Sequence, residues 1–165
     1  MNDSIVLREY FVQPGDLCIP TEPSKIYSVC GSGVVVAIWD KRKLKGGLCH
    51  FIKPVRESKK DRSPVYALPS IIGLINSLER SGCKIETMEA SVYGGSENIL
   101  AKNYIKNLGV DNINAAKEIL KRKKVKLVHI DTGSSRGRKI MFNTSTGESI
   151  VARVNQLRED DWYIT

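Results

Sequence analysis

The sequence contains no run of about 18 consecutive apolar residues, the length that a membrane-spanning helix needs. It also begins without the basic stretch and following apolar stretch that are typical of a secretory signal. Its 165 residues are 41% hydrophobic, which is too many for a disordered chain and suits one globular domain. We therefore expect a soluble, cytoplasmic protein in which residues 1–165 form a single domain without membrane insertion.

Potential metal ligands are few and poorly spaced. Neither of the two histidines, His50 and His129, lies at zinc-site spacing from two cysteines. The cysteines contain no C-x-x-C pair, and an intracellular protein keeps such scattered thiols reduced. We predict no disulfide framework, no metal and no cofactor. The four cysteines are Cys18, Cys30, Cys49 and Cys83.

The glycine-rich turn Gly31-Ser32-Gly33 lacks the other features of a nucleotide site. No Gly-Lys-Ser/Thr follows it, and the next residues, 34–39, are β-branched and apolar. A dinucleotide fingerprint would open a helix at this point. Taken alone, the turn is interpreted as a tight connection between two strands that requires small residues.

Positive charge is abundant, with 26 Lys and Arg against 18 Asp and Glu, a formal net charge of +8. The two densest basic clusters, 41–45 and 121–124, are not interleaved with aromatic residues, and no nucleic-acid reader motif accompanies them. Solvated surfaces and a helix C-terminus explain this charge better than nucleic acid does. A basic nucleic-acid-binding domain is kept as an alternative that we do not favour.

Hydrophobic periodicity predicts two main helices and several short strands. The first helix has its apolar face at positions 68, 71, 72, 75 and 78, and the second begins with Asp111 or Asn112 as its N-cap. Trp162 and Tyr163 in the tail either pack back onto the body or fray. This pattern favours an α+β fold with a largely antiparallel sheet. The predicted strands are 4–12, 26–30, 34–39, 48–52, 84–93, 125–130, 139–142 and 149–154.

His50 lies in an apolar predicted strand, where a satisfied, partly buried histidine is the more common role. Cys30, however, ends an earlier predicted strand just before the glycine turn. If these two strands paired in a hairpin, the thiol and the imidazole would share one cleft. A nucleophile pair of Cys30 and His50 is therefore one hypothesis.

Several segments together resemble one protein family. Residues 31–40 read GSGVVVAIWD, 46–54 read GGLCHFIKP, and 88–95 read MEASVYGG. The predicted second helix follows, and after it come Asp131-Thr132-Gly133 with Arg136 and Arg138. Two short motifs, FN at 142–143 and TGE at 146–148, precede the last strand. The chain thereby resembles the CheD family of chemoreceptor glutamine deamidases, which reads Gly-Ser-Cys-Val, a strand, Asp, then Gly-Gly-x-x-His and a Pro. The resemblance covers nearly the whole chain in order.

The resemblance implies the family's α/β/β layered sandwich, which is similar to the catalytic domain of certain deamidating bacterial toxins. It also implies hydrolysis of receptor glutamine carboxamides to glutamates with release of ammonia. In that chemistry a thiolate attacks the amide carbon, a histidine activates the thiol and protonates the leaving amine, and a third polar residue orients the ring. Water then cleaves the thioester.

Aligned on the Gly-Ser pair and Asp40, the sequence departs from the family at two catalytic positions. The nucleophile position holds Gly33, and the position of the orienting threonine holds Tyr27; only His50 is kept. Glycine has no side chain, so covalent catalysis from position 33 is impossible. The larger Tyr27 ring is expected to occupy the space beside Gly33 and close the site.

Other residues replace the missing thiol poorly. Cys30 stands three residues before Gly33, which in an extended chain is roughly 10 Å away and on the other face. Cys49 is adjacent to His50 in a strand, so the two should point to opposite faces. Ser32 would bring a hydroxyl near the site, but out of phase with the nucleophile position.

We therefore expect a divergent CheD-like protein that keeps the fold and His50 but works by binding, as a pseudoenzyme. The resemblance implies two partners, the chemoreceptor cytoplasmic domain and the CheC-type phosphatase of chemotaxis. Basic residues in the 41–45 cluster would meet the acidic surfaces of receptor helices. The alternative is a working glutamine deamidase that uses Cys30 and His50.

Overall fold

The computed structural model describes residues 6–158 and Asp161, which form two β-sheets and a layer of two helices. Residues 4 and 5 of the first predicted strand, and the tail residues Trp162 and Tyr163, lie outside the described residues. The helices are α1 (Ala67–Arg80) and α2 (Leu108–Arg122). The strands are β1 (Arg8–Val12), β2 (Leu17–Cys18), β3 (Ser24–Cys30), β4 (Val34–Asp40), β5 (Lys45–Phe51), β6 (Met88–Gly94), β7 (Lys126–Thr132), β8 (Gly137–Asn143) and β9 (Ser149–Val154).

The strands pair mostly with antiparallel neighbours. The five-stranded sheet has the order β2-β5-β4-β6-β7, and only β6 and β7 are parallel in it. The four-stranded sheet has the order β1-β3-β8-β9, and only β1 and β3 are parallel in it. β1 is the edge strand that its mixed apolar and charged sequence predicts.

The helices cover one face of the five-stranded sheet, and the four-stranded sheet covers the other. Because side chains alternate along a strand, Val34, Val36 and Ile38 of the central strand β4 pack in the core under the helices. Val35 and Ala37 enter the second core, between the sheets, together with Ile26, Leu48 and Phe142. The α/β/β layered α+β fold is confirmed, and so is the prediction that 34–39 is a buried strand.

The buried face of α1 is displaced from the one that the sequence predicts, because it includes Ala67, Ser70 and Leu74. Ile71, Leu74, Ile75 and Leu78 are buried at the i, i+3, i+4, i+7 spacing of one helical face. Leu68, which was assigned to that face, is 37% exposed at the first turn of the helix.

Two predicted boundaries are wrong because side chains distant in sequence intervene. The strand predicted at 84–93 begins only at Met88, after a 3₁₀ turn (Ile85–Thr87). The second helix begins at Leu108, not at Asp111 or Asn112. The Glu97 carboxylate accepts hydrogen bonds from the N–H groups of Gly109 and Val110, so a residue before the helix replaces a local N-cap.

The strand pairing also differs from the hairpin that would join Cys30 to His50. Cys30 ends β3 and His50 lies in β5, and these strands belong to different sheets. β3 pairs with β1 and β8, whereas β5 pairs with β4 through the hairpin turn after Asp40. In the described part of the chain, no helix is long and apolar enough to cross a membrane.

Asp40 organises the turns at one end of the five-stranded sheet. Its carboxylate accepts hydrogen bonds from the N–H groups of Arg42 (2.9 Å), Lys43 (3.2 Å) and Lys84 (3.1 Å). Burial, the largest influence, raises the pKa of this carboxyl, but the donors around it together bring the pKa below its ordinary value. The ionised carboxylate therefore joins the β4–β5 hairpin to the 3₁₀ turn.

We predict that Asp40→Ala lowers the free energy of unfolding by about 2 to 3 kcal/mol at pH 7, because charge-assisted hydrogen bonds are lost. The lowered pKa of Asp40 stabilises the fold above about pH 4, and this contribution is lost as the pH falls through the folded-state value. Urea denaturation at pH 7 and pH 3 measures both effects. Glu57→Ala, which removes an exposed carboxylate, is the control and should change stability by less than about 0.5 kcal/mol. Equal losses for both variants would contradict the role of Asp40.

Candidate functional site

His50 lies between the two sheets, on the face of β5 that points away from the helices. Its neighbours in sequence, Cys49 and Phe51, pack in the core under the helices, as strand alternation requires. His50 is fully buried. In the register of the five-stranded sheet it stands opposite Val35 of β4.

A chain of hydrogen bonds connects His50 to the four-stranded sheet. The Ser28 hydroxyl donates to the carbonyl oxygen of Val12 at 2.7 Å, and its oxygen lies 3.2 Å from Nδ1 of His50. Because the single hydroxyl hydrogen is used toward Val12, we assign the imidazole hydrogen to Nδ1, which donates to Ser28. Nε2 is then the basic nitrogen of the ring.

Burial lowers the pKa of His50 to about 3. The imidazole is therefore neutral at pH 7. A neutral imidazole can accept a proton from a nearby thiol or hydroxyl, which is the role of the histidine in a nucleophile pair. Such a role needs an acidic group within hydrogen-bond reach of Nε2.

The backbone of Gly33 stands where that group would be. A Cβ atom built on Gly33 would lie 2.9 Å from Nε2 of His50 and 2.9 Å from the carbonyl oxygen of Phe51. It would also lie 3.1 Å from Cγ2 of Ile52. Position 33 is thus directed at the imidazole, and a Cβ there would be too close to Nε2 of His50 and to the backbone oxygen of Phe51 unless these atoms shift.

The turn before β4 is held by hydrogen bonds from three directions. The carbonyl oxygens of Gly31 and Gly33 accept from the N–H groups of Ser96 (2.9 Å) and Gly95 (2.8 Å). Nδ2 of Asn112 donates to the carbonyl oxygen of Ser32 at 2.9 Å. The turn is therefore a rigid wall of the site.

Asn112 also fastens the end of β5, because its Nδ2 donates to the carbonyl oxygen of Ile52 at 3.1 Å. Asn112 is fully buried on α2. Sequence reasoning assigned it to a helix cap and missed this role. Its i, i+4 relation to the buried Ala116 was the available signal that it lies on the inner face of the helix.

Ser28 is the second residue that sequence reasoning missed, and Tyr27 was assigned in its place. The Tyr27 ring stacks on Phe11 at 5.2 Å between ring centres, and its hydroxyl donates to the Glu9 carboxylate at 3.2 Å. Ser28 faces inward because it has the same parity as the buried Ile26. The expectation that Tyr27 fills the space beside Gly33 is wrong, because the ring lies on the outer face of the sheet.

Cys30 is buried in the core between the sheets. Its Sγ lies 3.9 Å from the carbonyl oxygen of Tyr93 and against the backbone of Gly94. Burial raises the pKa of this thiol to about 12. At neutral pH Cys30 is therefore a protonated core thiol, which is a poor nucleophile.

The other three cysteines, Cys18, Cys49 and Cys83, lie in β2, in β5 and after α1. Cys49 faces the helices, as predicted, and burial raises its pKa to about 12. Cys83 follows α1, and its Sγ lies 3.7 Å from the Ser81 hydroxyl. Cys18 lies in the short strand β2, where partial burial raises its pKa. Among residues 6–158 and Asp161, no three His, Cys, Asp or Glu side chains are grouped to hold a metal ion.

Arg138 closes the end of the two sheets beside the glycine turn. It is fully buried in β8 opposite Cys30. Its guanidinium donates to the Asp131 carboxylate at 3.1 Å and to the carbonyl oxygen of Gly133 at 2.7 Å. Arg153 contacts the same carboxylate at 2.9 Å. Asp131 and Gly133 of the Asp-Thr-Gly motif are therefore joined to Arg138 by hydrogen bonds, and Asp131 also binds Arg153.

Comparison with known proteins identifies relatives over most of the chain. A family model described as CheD chemotactic sensory transduction matches residues 53–153. The probable chemoreceptor glutamine deamidase CheD of Trichlorobacter lovleyi is 31% identical over 154 residues, 93% of this chain and 96% of that protein. The chemoreceptor glutamine deamidase CheD of Thermotoga maritima is 31% identical over 141 residues, 85% of this chain and 88% of that protein. The family-model match begins just after His50, so it does not include the glycine turn.

We predict that Ser28→Ala lowers the free energy of unfolding by about 1 to 3 kcal/mol, because it removes the acceptor of a buried imidazole N–H. Tyr27→Phe, at the adjacent position, removes only a hydroxyl on the outer face and should cost less than about 0.5 kcal/mol. Urea denaturation of the two variants measures this contrast. A larger loss of stability for Tyr27→Phe than for Ser28→Ala would show that Tyr27, and not Ser28, is the important partner of His50.

Stability should also depend on pH through His50. The unfolded chain binds a proton at this residue near pH 6.5, whereas the folded protein does so only at about pH 3. As the pH falls from about 6.5 to 4.5, the free energy of unfolding should therefore drop by up to about 1.4 kcal/mol per pH unit. His50→Asn should reduce this slope, and His129→Asn, at an exposed position, should keep it. Equal slopes in the wild type and His50→Asn would contradict the assignment.

Proposed function

The chain belongs to the CheD family, and on this premise we propose that it is a cytoplasmic chemotaxis protein that binds chemoreceptors without deamidating their glutamines. The observation that carries this proposal is the position of Gly33. A Cβ at this residue would lie 2.9 Å from Nε2 of His50, so the backbone directs position 33 at the base but supplies no nucleophile.

The deamidation reaction requires a nucleophile beside Nε2 of His50, which is why the missing side chain at position 33 is decisive. A thiol at position 33 would pass its proton to Nε2 and attack the glutamine carboxamide, forming a thioester and releasing ammonia. Nδ1 of His50 is already oriented by Ser28, as the reaction would need. The base and its orienting partner are therefore present, and only the attacking atom is missing.

Cys30 is a weak substitute for that atom. With a pKa of about 12, roughly one Cys30 thiol in 10⁵ is ionised at pH 7. Its Sγ is directed at the Tyr93 carbonyl and packed against Gly94. A working deamidase based on Cys30 and His50 is therefore the less favoured alternative.

Binding requires the shape and charge of a surface but no thiolate. The formal net charge is +8, and the turn after β4 exposes Lys41, Arg42 and Lys43. A positive surface favours encounter with acidic helices such as those of receptor cytoplasmic domains. We extend the proposal to a CheC-type phosphatase as a second partner. A basic nucleic-acid-binding domain gains no support from the described residues, because none of its reader motifs is present in the sequence.

The proposal is tested by incubating the wild type with a chemoreceptor cytoplasmic fragment. We expect the fragment to bind and to show no mass gain, whereas each deamidated glutamine adds about 1 Da. The Thermotoga maritima relative, a chemoreceptor glutamine deamidase by name, is the positive control. Absence of binding would contradict the proposal.

Two variants separate the mechanisms. Gly33→Cys places a thiol beside Nε2 and should produce detectable conversion, whereas Gly33→Ser, of similar size, supplies a much weaker nucleophile and should not. Conversion by the wild type that disappears in Cys30→Ala would establish the alternative deamidase. In that case the pseudoenzyme proposal is wrong.

A further inference from the structure

A groove opens on the helix layer, on the opposite face of the five-stranded sheet from His50. We call it the helix-layer groove; its volume is about 500 Å³. It lies between the loop after β5, the first turn of α1 and the C-terminal half of α2. Its lining consists of Pro54, Val55, Arg56, Lys59, Leu68, Ala115, Glu118, Ile119 and Arg122.

The floor of the groove is apolar and partly exposed. Val55 is 74% exposed and Leu68 is 37% exposed, although both are aliphatic. Leu68 is the residue of the α1 apolar face that does not reach the core. Ile119 and Ala115 continue this surface along α2. Exposed aliphatic side chains grouped in a concave surface are typical of a site that another molecule covers.

The rim of the groove is basic. Arg56, Lys59 and Arg122 stand at its edge, and the one carboxylate in the lining, Glu118, is paired with Arg122 at 2.8 Å. Two further lysines, Lys123 and Lys124, follow directly after α2. The negative end of the helix dipole is worth only about half a charge, so it does not neutralise this group.

The wall formed by the loop is already ordered. Nη1 of Arg56 donates to the carbonyl oxygen of Lys59 at 2.9 Å and to that of Asp61 at 3.4 Å. The Asp61 carboxylate accepts the N–H of Ser63 at 2.9 Å. A preformed wall reduces the entropy that a ligand loses on binding.

The chemistry of the groove selects among possible occupants. The polar side chains of the described lining are Arg56, Lys59, Glu118 and Arg122. Arg56 already donates to loop carbonyl oxygens and Glu118 is paired with Arg122, so few polar groups remain to orient a small polar molecule. Among the lining residues that the structure describes, none is aromatic, so nucleic-acid bases would find no stacking partner there. A second copy docked in a symmetric manner would bring the same cations face to face.

We propose that the helix-layer groove binds an acidic amphipathic helix of a protein partner. Its aliphatic residues at i, i+3 and i+4 fill the floor beside Val55 and Leu68, and its carboxylates face the basic rim. This inference goes beyond the proposed function, because the groove and His50 lie on different faces of one sheet. Its success or failure is therefore independent of deamidation.

The test uses the full-length protein and a fluorescein-labelled peptide of about four helical turns, with leucines at i, i+3, i+4 and i+7 and glutamates on its flanks. Fluorescence anisotropy measures its affinity. Two comparison peptides keep the length: one replaces the glutamates with lysines, and the other replaces the leucines with serines. We expect the acidic amphipathic peptide to bind at least about tenfold more tightly than either.

Variants then map the site. Val55→Glu, at an exposed position, should weaken binding by at least about tenfold. Lys59→Glu should weaken it by roughly threefold and reduce its salt dependence. Ile150→Glu, which changes an exposed residue away from the groove, is the matched control and should leave binding unchanged.

Three results of the binding measurements would overturn the proposal. They are equal affinity for the acidic and lysine-flanked peptides, equal loss in Val55→Glu and Ile150→Glu, and no binding of the acidic peptide at millimolar concentration. Sedimentation measurements on the protein alone test whether a second copy of the chain occupies the groove. Self-association that Val55→Glu abolishes would show that the groove takes a second copy of the chain, and the proposal would again be wrong.

Discussion

The hydrogen bond between Nδ1 of His50 and the Ser28 hydroxyl is the interaction on which the site depends. This bond joins the two sheets across their common core. Ser28 is itself fixed to β1, because its hydroxyl donates a hydrogen bond to the carbonyl oxygen of Val12. Because the imidazole is buried and neutral, this partner determines the direction of the ring and which nitrogen is basic. The ring then faces the start of β4, where the backbone of Gly33 packs against it. The backbone therefore directs position 33 at the basic nitrogen of His50, and the glycine there supplies no side chain.

The rigidity of the site is a property of the backbone around it. The glycine turn is held by the backbone N–H groups of 95–96 and by the side chain of Asn112. These hydrogen bonds are made by backbone groups and by Asn112, so none of them depends on a side chain at position 33. Membership of the family is therefore compatible with a glycine at position 33.

The sequence predicted those elements whose reasons are local. The apolar run 34–39 became the central strand because both of its faces are covered, and the last strand, Ser149–Val154, has its predicted bounds. Predictions failed where a distant side chain supplies the hydrogen bond. Glu97 caps α2 from outside the helix, and Asp40 holds the turn at 84–87, where a strand was predicted. Neither partner can be inferred from propensity within the segment, because both contacts join residues that are distant along the chain.

By itself, the sequence determined the chemistry that position 33 lacks, since the absence of a side chain does not depend on the fold. Its hydrophobic pattern also determined the α+β class with a largely antiparallel sheet, whereas motifs in the same order along the chain indicated the family and, through that resemblance, the layered architecture. Only the tertiary structure decided that Ser28, and not Tyr27, orients His50, because this depends on which face of β3 meets the other sheet. It likewise decided that Cys30 is a protonated core thiol, since the pKa of a thiol follows from burial and neighbouring charges, which the linear sequence does not specify.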